Sequence, residues 1–253
     1  VKTQDIVITT ALIPGRPAPK LLSKAMIQSM RPGSIIVALA VERGGNAELA
    51  KAGCRYIQLD EVAVALLCDP AIRDEIKRSG SEPDALVDLY IKSINDAVAE
   101  CPADVTVGVH MCRGNFKGHY LGAGGYESVA ERFFTDTKVS HFLLEYDTPR
   151  AGDFAPLRFV PKNKGVVLGV ISSKTPALES LDALKHRIDE ATRYIDLDRL
   201  AIGPQCGFAS TVAGNPVTED DERRKLALVV EAAREFWPSA KKCVFPGFLF
   251  IAD

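Results

Sequence analysis

Five short apolar runs separated by helix-like stretches constrain this chain more than any other feature. The runs lie at residues 55–60, 105–112, 141–146, 166–171 and 200–202. Between them, residues 84–100 place Leu86, Leu89, Tyr90, Ile94 and Val98 at helical spacing. Residues 125–134 and 180–194 show the same period. Thr218 followed by Asp221 has the form of a capping box, with Asp where Glu or Gln is usual, opening a long helix that ends near Trp237. Strands that alternate with helices in this rhythm predict parallel βα units, and so the α/β class.

Two strands and a helix precede this pattern. Residues 5–11 (DIVITTA) and 34–40 (SIIVALA) read as β-branched or apolar strands. The intervening 12–20 carries Pro14, Gly15, Pro17 and Pro19, which is loop chemistry, and Ser23 can cap a short helix that stops at Pro32–Gly33. A break follows at Gly44, Gly45 and Asn46. At the other end, residues 241–253 are apolar without helical or alternating period.

Bulk properties narrow the function classes. The 253 residues, 47% of them hydrophobic, suffice for a sizeable core without crosslinks. A net charge of −2 supplies no basic field for nucleic acid or an anionic membrane. No apolar run approaches the roughly 20 residues of a spanning helix. No signal peptide opens the chain, although it starts on Val1 rather than Met, which weakens that observation. Cys54, Cys68, Cys101, Cys112, Cys206 and Cys243 are irregularly spaced and form no CxxC, which predicts a reduced, cytoplasmic protein. For most of them a small buried apolar role is expected.

Two cysteines need a different account. His110 and Cys112 lie two apart at the end of one strand, so both side chains leave from one face. An imidazole and a thiolate converging in this way suit a tetrahedral metal such as zinc. By itself HxC is a weak signal, since core strands often contain His or Cys. Glu145 ends the apolar run HFLLE, where a carboxylate is costly unless paired with a cation. The competing reading is a salt bridge to Arg150 or Arg158. Cys206 sits in IGPQCGF, in a turn shaped by Pro204 and Gly207 at a strand's carboxyl end, where sites assemble in parallel α/β folds.

The runs GCRYIQLDE (53–61), HMCRGN (110–115), FLLEYD (142–147), GVVLGVISSKTP (165–176) and PQCGFAST (204–211) resemble, in order and spacing, the cobalamin-independent methionine synthase family. The likeness covers about residues 49–239 and is greatest to the family's shorter, single-barrel members. It implies a partial (β/α)8 TIM-type barrel of about five βα units over 48–239. It also implies a zinc ion held by His110, Cys112, Glu145 and Cys206, with Asp60, Glu61, Arg113 and Asn115 as substrate contacts. Asp60 would meet the amino group of homocysteine. The implied reaction moves a methyl group from a methyltetrahydrofolate to the homocysteine thiol, with Glu145 as the ligand expected to yield. The family's longer members carry a His near 171–174. Here the stretch is ISSK, so Ser172, Ser173 and Lys174 either line the pocket or form a solvated loop.

Residues 1–47 resemble a different family, the NAD-binding domain of alanine dehydrogenase and the nicotinamide nucleotide transhydrogenase α subunit. The likeness implies a β-α-β piece of Rossmann origin, packed against the open barrel edge. Ala38 stands where that family has Asp, and no GxGxxG phosphate turn precedes the piece, so no NAD-binding residue is assigned. Two alternatives to the methyltransferase follow: an NAD(H)-binding fragment of a transhydrogenase, and a non-functional fusion with its junction near residues 47–50. His119, His141 and His186 lack partners at ligand spacing and are expected on the surface or satisfied in the core.

Overall fold

A computed structural model of the chain describes residues 3, 6–9, 21–31, 35–38, 56–99, 101–208 and 214–238. The segment 12–20, the break at 44–46, Cys54, Cys243 and the tail 240–253 lie outside the described residues.

Strands β1 (Ile6–Thr9) and β2 (Ile35–Ala38) pair in parallel, with Ile6 opposite Ile35 and Thr9 opposite Ala38. Between them runs α1 (Lys24–Gln28), whose first turn is capped by Ser23 accepting from the Met26 N–H. This is the β-α-β unit expected of the amino-terminal segment. Its two strands hydrogen-bond to each other and form a sheet of their own. Extension of the larger sheet by these strands is therefore not what the described residues show.

The larger sheet contains β3 (Tyr56–Glu61), β4 (Thr106–Met111), β5 (His141–Glu145), β6 (Gly165–Ile171) and β7 (Leu200–Pro204). All are parallel, and their spatial order is their sequence order. The order never reverses, unlike that of a doubly wound sheet. The connections carry α2 (Ala63–Leu66), α3 (Pro70–Arg78) and α4 (Pro83–Val98) before β4, α5 (Glu127–Asp136) before β5 and α6 (Leu181–Ala191) before β7. The last helix is α7 (Glu219–Phe236). Asp69 caps α3 and Pro70 opens it, a start signal that the apolar spacing alone did not reveal. The capping box of α7 forms with Asp221 in the place of the usual Glu: Thr218 Oγ1 accepts from Asp221 N–H, and Asp221 Oδ2 accepts from Thr218 N–H at 3.0 Å.

Alternation sorts the two faces of the sheet. Leu59, Val107, Val109, Met111, Phe142, Leu144, Val166, Leu168, Leu200 and Ile202 point one way and join one apolar core with residues of the helices, among them Val87, Phe133, Phe134, Ile188 and Val229. The opposite face carries Gln58, Asp60, His110, Leu143, Glu145, Val167 and Gly169, on which polar groups gather. Asp60, His110, Leu143 and Val167 form one cross-strand row. The lower rim is closed by cations. Buried Lys164 donates to the carbonyls of Phe134 (2.7 Å) and Thr137 (2.5 Å), satisfying groups left open at the end of α5. Arg199 donates to the carbonyls of Val160 and Lys164.

Gly169 decides how closely β7 approaches. A Cβ there would lie 2.5 Å from Gln205 Cα and 2.7 Å from the Leu144 carbonyl oxygen, both backbone atoms that cannot step aside. Changing Gly169 to Ala is expected to cost about 1–3 kcal/mol through this overlap. Thr218→Ala, which removes the α7 cap, is expected to cost about 1 kcal/mol. Urea unfolding of the full chain measures both. Wild-type stability in Gly169→Ala would show that the strands can part at no cost.

Candidate metal centre

Strand register brings the predicted ligands to the carboxyl ends of β4, β5 and β7. His110 is the fifth residue of β4, and Cys112 follows the strand, fixed by its N–H to the Glu61 carbonyl at 2.8 Å. Glu145 ends β5. Cys206 lies in the turn after β7, where Gln205 N–H donates to the Ile171 carbonyl at 2.8 Å. One ligand atom from each of the four lies within 4.8 Å of the others. Four donors about 2.0–2.3 Å from a tetrahedral ion stand roughly 3.3–3.8 Å apart. The two sulfurs, 3.7 Å apart, already meet that spacing and are not joined as a disulfide.

The donor chemistry fits a zinc-type ion. His110 Nδ1 lies 3.2 Å from the Leu143 carbonyl, which can only accept, so Nδ1 carries the hydrogen and Nε2 the lone pair. That Nε2 is buried without a hydrogen-bond partner, and its nearest carboxylate atom, Asp60 Oδ1, is 3.9 Å away. An orphaned lone pair beside two thiols is costly in a packed interior and is what a cation would relieve. The thiols share a proton unequally. Cys206 is held below the usual thiol value, first by its hydrogen bond with Cys112 and then by the neighbouring His110, against the opposing effect of burial. Cys112 is pushed up by the same bond and by burial.

Glu145 is fully buried, and the salt-bridge reading holds through Arg150. It belongs to the cluster and is also ion-paired. Oε1 accepts the Arg113 backbone N–H at 2.7 Å; Oε2 accepts Arg150 Nη2 at 2.7 Å and faces Lys174 Nζ at 3.5 Å. Arg150 also holds Asp147 at 2.8 Å. Arg158, the other arginine considered, pairs with Glu127 instead. Below, the Tyr126 hydroxyl accepts Glu145 N–H and donates to its carbonyl, so the strand end is clamped through its main chain.

The predicted substrate contacts separate into two groups. Asp60 is half-exposed beside His110, and burial raises its pKa most. Asn115 holds the Cys206 turn by donating to the Gly207 carbonyl at 2.7 Å, and its Oδ1 has no partner. Glu61 and Arg113 are engaged in structure. Both oxygens of Glu61 accept backbone N–H groups of Val64 and Ala65 at the start of α2, and burial lifts its pKa to about 7. The Arg113 guanidinium is buried over the Tyr126 ring at 4.2 Å and donates to the Gly124 carbonyl. The Arg113 carbonyl in turn accepts the N–H groups of Leu121 and Gly122.

Residues 172–174 are buried, which removes the solvated-loop reading. Ser172 Oγ donates to Asp147 at 2.9 Å, Ser173 Oγ accepts from Gln205 at 3.0 Å, and Lys174 Nζ reaches Gln205 Oε1 at 3.0 Å. Gln205 is thus the supporting residue that motif spacing missed, although it directly precedes Cys206, whereas Lys174 belongs to the polar triplet after the seven-residue strand β6 already considered as pocket lining. His119 and His186 are exposed, and His141 stacks on Tyr56, with burial lowering its pKa to about 4. Beside His110 and Cys206 opens a cavity of about 280 Å³, walled by Leu143, Val167, Phe208 and Leu226 with Gln58 and Glu222.

Comparison with known proteins finds two kinds of likeness in the chain. Residues 1–81 match the family model "Alanine dehydrogenase/PNT, C-terminal domain", well past the change of likeness expected near 47–50. The NAD(P) transhydrogenase subunit alpha of Haemophilus influenzae is 60% identical over 52 residues, covering 21% of this chain and 10% of its own. YxjG of Bacillus subtilis (strain 168), described as an uncharacterized protein, is 46% identical over 186 residues, covering 73% of this chain and 49% of its own. The chain spans about half the length of the curated relatives it matches over most of its residues. A Listeria monocytogenes structure assigned as a vitamin-B12 independent methionine synthase superposes with a TM-score of 0.56 at 29% identity, covering 78% of this chain and 53% of that one. The amino-terminal part of this chain therefore carries an alanine dehydrogenase/PNT-type sequence, and the remainder resembles cobalamin-independent methionine synthase in sequence and structure.

Proposed function

We propose that the chain holds one zinc ion through His110, Cys112, Glu145 and Cys206, and that this centre activates the thiol of homocysteine for methylation by a methyltetrahydrofolate. The carrying observation is the convergence of four ligand atoms within 4.8 Å around an imidazole nitrogen that has no other partner. When bound, zinc would stabilise a substrate sulfur as the thiolate at neutral pH. The chain's own residues do the rest. Asp60, half-exposed at the end of β3, offers a carboxylate to the substrate's ammonium group. The Leu143 carbonyl fixes the His110 tautomer. Arg150 and Lys174 give Glu145 somewhere to rest if it yields its place to the incoming sulfur. The cavity beside Cys206, walled in part by Leu143, Val167, Phe208 and Leu226, offers room for a small substrate next to the sulfur.

In this reading the sheet from β3 to β7 is an arc of a (β/α)8 barrel, and residues 48–239 are an incomplete zinc barrel domain. Five parallel strands in sequence order with helices on one face are what such an arc has. Residues 1–47 are a separate fragment, and 240–253 are unassigned.

A second reading has its own support. The match to the dehydrogenase family and the parallel β1-α1-β2 unit favour an NAD(H)-domain fragment. No GxGxxG occurs among residues 1–253, so nothing in them matches the turn that cradles a dinucleotide pyrophosphate.

Elemental analysis of the purified full chain is expected to find about one zinc per molecule, lost in the Cys112→Ser/Cys206→Ser double variant. Protein that carries no zinc and takes none up would end the methyltransferase proposal. Titration with NADH, followed by its fluorescence, is expected to give no saturable change; saturation would restore the nucleotide-binding reading.

A further inference from the structure

A second cavity, of about 300 Å³, opens at the amino ends of β4, β5 and β6, on the rim opposite the candidate metal centre. Its wall includes Lys162, Lys164 and Arg199 together with Ser140 and Asn163, and among the described residues no carboxylate lines it. Buried Lys164 gives its N–H groups to the carbonyls of Phe134, Thr135 and Thr137. Arg199 donates through Nε to the Lys164 carbonyl and through Nη2 to those of Val160 and Pro161. A carbonyl accepts a hydrogen bond but carries no net charge, so neither cation is neutralised by these contacts. Burial accordingly draws the Lys164 pKa below the usual lysine value, with Asp136, outside the wall, as the opposing influence. Exposed Lys162 has no hydrogen bond among the described residues, and none of the three cations is ion-paired there.

We infer that this cavity is a binding site for a phosphate group, free or esterified to a small molecule. The site is independent of the metal-centre reading. Three positive charges in one concave wall, with no carboxylate among them, favour an anion. The donors left over say which kind. Because Arg199 Nε and Nη2 are taken, the guanidinium cannot offer two parallel N–H groups to a planar carboxylate, and only Nη1 is open to a ligand. What remains is a set of single donors: Arg199 Nη1, the Lys162 ammonium, the Asn163 amide and the Ser140 hydroxyl, whose oxygen accepts the Val107 N–H at 3.4 Å. They come from three connections, those entering β5, β6 and β7. A phosphate group matches such a set, with several acceptor oxygens facing different ways and a charge of about −1.5 to −2. Lys164 adds its charge from behind the wall while its N–H groups stay on α5 and the turn after it.

Isothermal titration calorimetry of the full chain with inorganic phosphate, in sodium chloride at constant ionic strength, tests this. The wild type is expected to give a saturable heat. Lys162→Gln is expected to weaken binding about tenfold, and Lys162→Glu to weaken it further. Lys162→Arg, which keeps the charge, is expected to stay near the wild type. Lys162 is exposed and holds no other group, so these variants are expected to keep the fold, which circular dichroism checks. Asn163→Asp, which puts a carboxylate into the wall from a second exposed position, is expected to weaken binding as well. Methyl phosphate, titrated in parallel, separates the two sources. Affinity at or above that of inorganic phosphate assigns the site to an esterified ligand, and binding of inorganic phosphate alone assigns it to the free ion. No saturable heat with either compound in the wild type would overturn the inference. Wild-type affinity in both Lys162→Glu and Asn163→Asp would overturn it too, because the phosphate would then sit elsewhere.

Discussion

A carboxylate with no exposure to water, at the end of an apolar strand, is the interaction on which the upper rim of this sheet depends. An ion in such a place is tolerated only when every oxygen is met by a donor or a cation. Glu145 meets that demand with the Arg113 backbone N–H, Arg150 and Lys174, while the Tyr126 hydroxyl secures its main chain. Each partner then constrains something further. Arg150 draws in Asp147, which orders Ser172; Lys174 draws in Gln205, which orders the Cys206 turn. The convergence of the four donor side chains is thus an outgrowth of solvating one buried charge.

The sheet supplies the other half. Its alternation separates an apolar face, sealed by helices, from a face where His110, Asp60 and Glu145 gather near the strands' carboxyl ends. Because Gly169 has no side chain, the backbone of Gln205 can come against β6, and Cys206 is carried to within 3.7 Å of Cys112. Two thiols far apart in sequence meet because a glycine leaves room between two strands.

Much of this was legible beforehand, for identifiable reasons. Period-2 spacing placed His110 and Cys112 on one face, and the cost of burying a charge marked Glu145. The strands of the larger sheet and the α7 cap follow from local rules that tertiary packing did not override. What escaped was non-local. Nothing near Arg113 in sequence says that its guanidinium turns inward over Tyr126. Nor does the sequence around Glu61, expected from the resemblance as a substrate contact, say that its carboxylate accepts the open N–H groups at the start of α2. Lys174 read equally well as loop or lining until Glu145 and Gln205 were seen to surround it. Helix α3 was missed because its proline start and Asp69 cap stand in a stretch with no buried apolar stripe.

The strictly sequential order of β3 to β7 has a consequence for how such a chain can be assembled over evolutionary time. Each strand finds its hydrogen-bonding neighbour one βα step away, never across an intervening strand. Removing or grafting a unit at either end therefore severs one ladder and leaves the interior pairings intact. A fold of this kind grows and shrinks like a row of books rather than a knot. Segments of foreign ancestry can be joined at its margin without re-threading what is already in place.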